Sequence, residues 1–245
     1  MAGISNKPTI LFLFNHSLYA PQPWIDDGRF NCVSVDYDDT DHSGYHDSKK
    51  HPGLLRINLD LRDSKSLFAI GSILNALEFQ QASLIISFPP CTDLAVSGAA
   101  HFKKKAEADP DFQKKAVIAA RLAADWALHT PYCIENPVSR LSTLWRKPDH
   151  KFHPYEYAGY CPKGKHPEFP GIIPTQDRYK KQTCIWSGNG FIMPEKKPIA
   201  PIDNVSPGHK KLGGKSARTK YIRSLTPRGF ANAVYVANHS KLLVN

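Results

Sequence analysis

A chain of 245 residues and 27.4 kDa is long enough for one sizeable globular domain or at most two small ones. Its 41% hydrophobic and 22% charged residues exclude collagen-like, fully disordered and coiled-coil classes. Lys+Arg 32 against Asp+Glu 22 leaves a formal charge of +10, which favours a polyanionic partner and says nothing about fold. Cys32, Cys91, Cys133, Cys161 and Cys184 are far apart, odd in number and without a Cys-x-x-Cys pair, which suits a reducing compartment better than a disulfide framework. No apolar run approaches the roughly 20 residues of a membrane span. The apolar opening stretch has neither a charged n-region nor a cleavage site, so a cytoplasmic protein without membrane contact is expected.

Residues 9–14 (TILFLF) form a continuous apolar run, the pattern of a strand covered on both faces. Residues 32–36 (CVSVD) and 54–59 (LLRINL) repeat it, and Asp60 follows the second. Residues 64–79 space Leu67, Ile70, Leu74 and Leu77 as an amphipathic helix does. Residues 83–88 (SLIISF) predict a fourth strand that stops at Pro89-Pro90. A second helix is expected from Asp109 as N-cap and Pro110 as first helical residue, with Val117, Ala120, Ala124 and Leu128 on its apolar side. Pro131 ends it, and residues 132–134 predict a fifth strand. Strands alternating with helices imply right-handed crossovers, hence an α/β, doubly wound, mostly parallel sheet.

The texture then changes: nine of the 20 prolines fall between Pro148 and Pro201, and only residues 183–186 (TCIW) suggest a strand. An irregular, Pro-rich and basic insertion around 146–224 within a single domain, 1–245, is the expected organisation. Thr226-Pro227 followed by Phe230, Ala233, Val234 and Ala237 predicts a capped amphipathic helix that docks back on the sheet.

In an open parallel sheet, ligands bind beyond the carboxyl ends of the strands. Those ends carry Phe14-Asn15, Asp36, Asp60, Pro89-Pro90-Cys91 and Glu135-Asn136-Pro137. Prolines fix φ and remove N–H donors, so the last two turns are stiff and their polar side chains well aimed. A thiolate can add to carbon 6 of a cytosine ring if N3 is hydrogen-bonded or protonated at the same time, which makes carbon 5 nucleophilic toward an electrophilic methyl group. Cys91 needs a lowered pKa or a proton acceptor for this, and Glu135 needs to hold a proton near neutral pH, which burial can arrange.

The ordered motifs SFPPCTDLAVSG (87–98), CIENP (133–137), KQTCIWSG (181–188) and RSLTPRGFANAV (223–234) resemble the cytosine carbon-5 DNA methyltransferases, especially short phage-type members. The resemblance covers most of the chain and implies a Rossmann-like class I methyltransferase fold. It further implies Cys91 as nucleophile, Glu135 at N3, and an S-adenosylmethionine site from Phe14 (adenine stacking), Asn15, Asp36 (ribose hydroxyls), Asp60 (adenine amine) and Pro89. Pro90, Ser97, Asn136, Lys104, Gln176, Arg178 and Arg223 fall to the DNA substrate, a duplex with an extruded cytosine. Three departures stand out. No glycine precedes Gly28 in the loop after the first strand, so φ > 0 is not readily reached there. Gln176-Asp177-Arg178-Tyr179-Lys180 matches the family's Gln-x-Arg-x-Arg only approximately. About 40 residues separate Trp186 from Arg223, fewer than the ~50 of an ordinary domain, so no separate target-recognition domain is expected.

Between Lys196 and Arg228, nine Lys/Arg oppose the single acid Asp203, and with Gly208, Gly213 and Gly214 they suggest a flexible loop that meets phosphates. Lys103-Lys104-Lys105 is a second candidate contact. His150-x-x-His153 with Cys161 and His166, and His42, His46 and His51, fit no strong zinc spacing and are read as loop histidines without metal. The same chemistry on a free cytosine nucleotide, or a non-catalytic DNA-binding or defence-blocking protein, are the alternatives.

Overall fold

The computed structural model describes residues 7–37, 45–47, 53–62, 65–76, 82–213 and 216–243. In chain order the elements are β1 (Thr9–Leu13), α1 (Gln22–Asp27), β2 (Asn31–Asp36), β3 (Tyr45–Asp47), β4 (Leu54–Asn58), α2 (Lys65–Ala76), β5 (Ala82–Ser87), α3 (Phe102–Ala108), α4 (Phe112–Trp126) and β6 (Tyr132–Pro137). There follow α5 (Leu141–Leu144), β7 (His150–Phe152), β8 (Thr183–Gly188), α6 (Pro207–Lys210), α7 (Ala217–Ser224) and α8 (Arg228–Leu242). One eight-stranded sheet runs β3-β4-β2-β1-β5-β6-β8-β7. The five strands from β4 to β6 are parallel, whereas β3 lies antiparallel on β4, and β8 runs antiparallel to both its neighbours. This is the doubly wound, Rossmann-like α/β sheet that the sequence predicts.

Alternation along the strands divides the core. On β1, Leu11 and Leu13 join Val33, Ile85, Ile134 and Trp186 under α2, α4 and α5. Ile10 and Phe12 face the other way and pack with Trp24 of α1 and Phe230, Ala233 and Val234 of α8. The strand order reverses between β1 and β5, so the crevice beyond their carboxyl ends is where such a sheet binds ligands. Among the described residues, no helix is long and apolar enough to cross a membrane.

Several local expectations are corrected. Asp109 does not cap α4; it is the extended residue that ends α3, and its carboxylate accepts hydrogen bonds from Asp111 N and Lys115 Nζ, so α4 begins three residues later. Leu128 lies past the end of α4, 72% exposed at φ 47°, and Ala119, Leu122 and Ala123 are buried instead, beside Val117 and Ala120. In α2, Ile70 is buried as expected, while Ser64, Leu77 and the side chains of Leu67 and Leu74 lie outside the described residues. So do His42, His51 and the side chain of His46. The insertion contributes a strand beyond the one expected, β7, and its basic part is not a plain loop: Ser216 accepts Thr219 N–H and starts α7. Thr226 does not cap α8; Asp177, 51 residues upstream, accepts the Arg228 N–H at 2.6 Å.

The second residue of α8 sets how closely that helix approaches the 154–160 turn. A Cβ on Gly229 would stand 2.9 Å from the Tyr157 carbonyl carbon, against backbone that cannot yield cheaply. Gly229→Ala is therefore expected to cost about 1–3 kcal/mol, lowering Tm by several degrees in a thermal melt with Gly171→Ala, where a Cβ meets nothing, as control.

Candidate active site

β5 delivers Cys91 through a short, stiff path. Phe88 N–H donates to Leu13 O at 3.0 Å, extending the parallel pairing with β1, and Pro89-Pro90 then carries no donor. The Cys91 carbonyl accepts Leu94 N–H at 3.0 Å and Ala95 N–H at 2.7 Å, turning the chain sharply. That turn is sewn to the one leaving β6. Asn136 Nδ2 donates to Pro89 O (3.0 Å), Val96 N–H to Val138 O (3.1 Å) and Arg140 N–H to Leu94 O (2.8 Å). Asn136 is 1% exposed, so its side chain acts as an internal strut between the two turns.

Glu135 sits on β6 opposite Ile185 of β8 and is half-buried. Burial raises its carboxyl pKa above the usual range, and the nearby Lys181 ammonium opposes the shift. Burial likewise pushes the Cys91 thiol up, Lys181 draws it down, and Glu135 adds to the rise. Thiol, carboxyl and ammonium thus share one electrostatic neighbourhood. Cys91 is the half-buried member of the five cysteines; the other four are buried. A carboxyl whose burial favours its protonated form, in the field of a thiol, can serve as an acid beside a nucleophile.

The other proposed residues take distinct places. Phe14 and Asn15 follow β1, next to the Pro89 turn. Phe14 itself adopts φ 53°, so the turn for which the sequence supplies no glycine is made by an aromatic residue. Asn15 is buried and locked, its Nδ2 donating to Ser17 O and Ser34 Oγ, and its carbonyl accepting Ser34 O–H at 2.6 Å. Asp36 closes β2 and accepts Tyr37 N–H at 2.9 Å. Asp60 binds Arg62 through both carboxylate oxygens, at 2.8 and 2.7 Å, which holds its pKa below the usual range. Pro89 is buried, while Pro90, Ser97 and Lys104 are exposed around the Cys91 turn. Lys105 is ion-paired with Asp93 at 2.5 Å.

Gln176 sits at φ 54° in the segment leading to β8. Arg178 Nε donates to Ala200 O at 2.8 Å, and the Arg223 guanidinium is spent on the carbonyls of Gly208 and Leu212. Both arginines therefore brace the insertion. Lys181 and Asp177 were missed as functional side chains. Lys181 opens the 181–188 motif, and because β8 runs antiparallel to β6 its first residues emerge at the carboxyl edge beside Glu135. Among the described residues no group of three His, Cys, Asp or Glu could hold a metal ion. His166 is buried, its Nδ1 accepting Phe169 N–H and its ring edge-on to Tyr19.

No protein-family model matches the chain, and no curated protein matches it. A solved structure described as that of a candidate DNA modification methyltransferase encoded within an E. coli prophage aligns at 15% identity and a TM-score of 0.40, covering 74% of this chain and 46% of that one. The chain thus spans less than half of that protein's length.

Two measurements test these electrostatics. Lys181→Ala removes the cation that favours the Cys91 thiolate, so alkylation of Cys91 by iodoacetamide near pH 8 is expected to slow several-fold, with Lys181→Arg close to the parent. The unfolded chain releases the Glu135 proton near 4.5, whereas the folded site keeps it to higher pH. Stability therefore falls as pH rises through this window and stays lowered above it. In melts between about pH 4 and pH 8, Glu135→Gln is expected to gain Tm relative to the parent as pH increases.

Proposed function

We propose that this protein transfers a methyl group from S-adenosylmethionine to carbon 5 of cytosine in DNA through a covalent bond to Cys91. The observation that carries this is the convergence of Cys91, on the turn after β5, and Glu135, within the neighbouring parallel strand β6, in the field of Lys181.

The residues at the crevice fit the cofactor. The left-handed backbone at Phe14 and the buried Asn15 give the tight turn that a bound nucleoside requires. Phe14 offers a half-buried aromatic face and Asp36 a carboxylate at the end of the next strand. Phe14, Asn15, Asp36 and the Pro89 turn would hold the molecule, with Asp60 and its partner Arg62 at the rim. When bound, the cofactor supplies an electrophilic methyl group.

The chain's own groups then have defined tasks. Cys91 Sγ adds to carbon 6 of the cytosine while Glu135 holds a proton on N3, so negative charge does not build up on the ring. Lys181 favours the thiolate before attack. Once carbon 5 carries the methyl group, transfer of its proton to a solvent water restores the double bond and expels Cys91 Sγ as the thiolate. Asn136 keeps the two turns in register, and Ser97, Pro90 and Lys104 face the entering nucleotide. Extruding a base costs a few kcal/mol, which phosphate contacts must offset.

The short span between Trp186 and Arg223 favours a second reading, the same chemistry on a free cytosine nucleotide. That version predicts turnover of the mononucleotide and little loss of activity at about 0.5 M salt, where a DNA enzyme fails. Covalent trapping on 5-fluorocytosine DNA with added S-adenosylmethionine is expected to give a denaturant-stable adduct with the parent. The adduct should be absent with Cys91→Ala and reduced at least about 100-fold in rate with Glu135→Gln. An adduct that persists in Cys91→Ala overturns the mechanism.

A further inference from the structure

The structure sorts the cations of the basic segment into two kinds. Arg223 is consumed by main-chain carbonyls, Arg228 by Asp177, and Lys211 by Ile172 O at 3.1 Å with Asp203 nearby. Arg218 and Lys220 are exposed, and no carboxylate pairs with them among the described residues. Both lie on α7, which buries Thr219 and Ile222, the latter against Ile173, Tyr179 and Leu225. Its outer stripe, Ala217, Lys220, Tyr221 and Ser224, recurs at the i, i+3, i+4, i+7 spacing of one helix face and, with Arg218 beside it, lines an open cleft of about 510 Å3. His16, two residues beyond Phe14, forms the far wall, its ring edge-on to Tyr221 at 5.7 Å. Glu168 fixes the wall by accepting the hydroxyls of Tyr19 (2.5 Å) and Tyr221 (3.5 Å). Among the described residues no acid lines the cleft.

The position of α7 matters as much as its charge. At its carboxyl end, the Arg223 carbonyl accepts Lys181 Nζ at 3.4 Å, the same lysine whose field reaches Cys91 and Glu135. At its outer stripe it meets the loop after β1. The helix therefore spans the carboxyl edge of the sheet from the thiol to the crevice. Resting on the DNA substrate proposed above, we propose that the cleft between His16 and α7 seats the sugar–phosphate backbone beside the extruded nucleotide, Lys220 meeting one phosphate within the cleft and Arg218 a neighbouring one at its rim. Residues two apart on a helix leave it in different directions, so these two cations suit charges spaced along a strand. The small Ala217 and Ser224 leave the room that the backbone fills.

The test is fluorescence-anisotropy binding of a short cytosine-containing duplex, without cofactor, over a salt series. Arg218→Ala and Lys220→Ala are each expected to weaken binding roughly three- to tenfold at about 0.1 M salt and to flatten the log K against log salt slope by about 1, and the double variant by about 2. Lys7→Ala, beside β1's amino end on the opposite edge of the sheet, should leave both unchanged. A parent that binds with a steep salt slope while both variants keep that slope overturns the cleft and leaves the DNA reading intact. So does a loss confined to S-adenosylmethionine affinity in calorimetry, which would assign the cleft to the cofactor. A parent with no salt-dependent DNA binding overturns both.

Discussion

The buried ion pair of Asp177 and Arg228 fixes the half of the molecule that the parallel sheet does not. Asp177, 2% exposed, accepts the Arg228 main-chain N–H and its guanidinium, so one carboxylate both caps α8 and neutralises the first side chain of that helix. A carboxylate at a helix amino end is favourable, and removing one member of such a buried pair typically costs about 3–5 kcal/mol because the other charge is stranded. Asp177 and Gln176 before it both take φ 54°, which swings the chain so that Tyr179 is buried and Lys181 reaches the carboxyl edge. The placement of α8, the insertion and the ammonium beside Cys91 thus descends from a single contact.

Within the site two influences oppose each other, and burial prevails at both groups. Burial would keep both the thiol and the carboxyl protonated, and Lys181 pulls each toward its anion. On the proposed mechanism the cation helps the thiol to become nucleophilic, and the burial helps the carboxyl to hold a proton. The fold serves both by placing Glu135 inside β6, between two strands, and Cys91 on a turn at the edge. Asn136 keeps that difference fixed, since its bond to Pro89 O forbids one turn from drifting relative to the other.

Much of this was legible in the residues. The central strands stood out because parallel strands covered on both faces are written as unbroken apolar runs, and the two proline-stiffened turns marked the site because they end adjacent strands. What failed were features decided at long range. Asp109-Pro110 is a local exception: it has the signature of a helix start, yet Asp109 ends α3 and its carboxylate is taken by Asp111 N–H and Lys115. The α8 cap comes from 51 residues away and cannot be seen in a local window. β7 is three residues with two exposed, too short and polar to show a period of two. α7 is eight residues whose charges masked its one buried face, Thr219 and Ile222. Lys181 carried no signal of its own beyond opening a motif, and only the antiparallel entry of β8 brings it to the thiol.

Phe14 adopts a left-handed backbone that side chains with a Cβ resist, at about 1–3 kcal/mol. Substituting glycine would relax that turn and delete the aromatic face in the same stroke. If Phe14 stacks on the nucleoside as proposed, folding ease and grip on a flat heterocycle pull against each other at one residue, and a version of this protein evolved for heat resistance by easing its loops would be selected, at that point, toward losing hold of its donor.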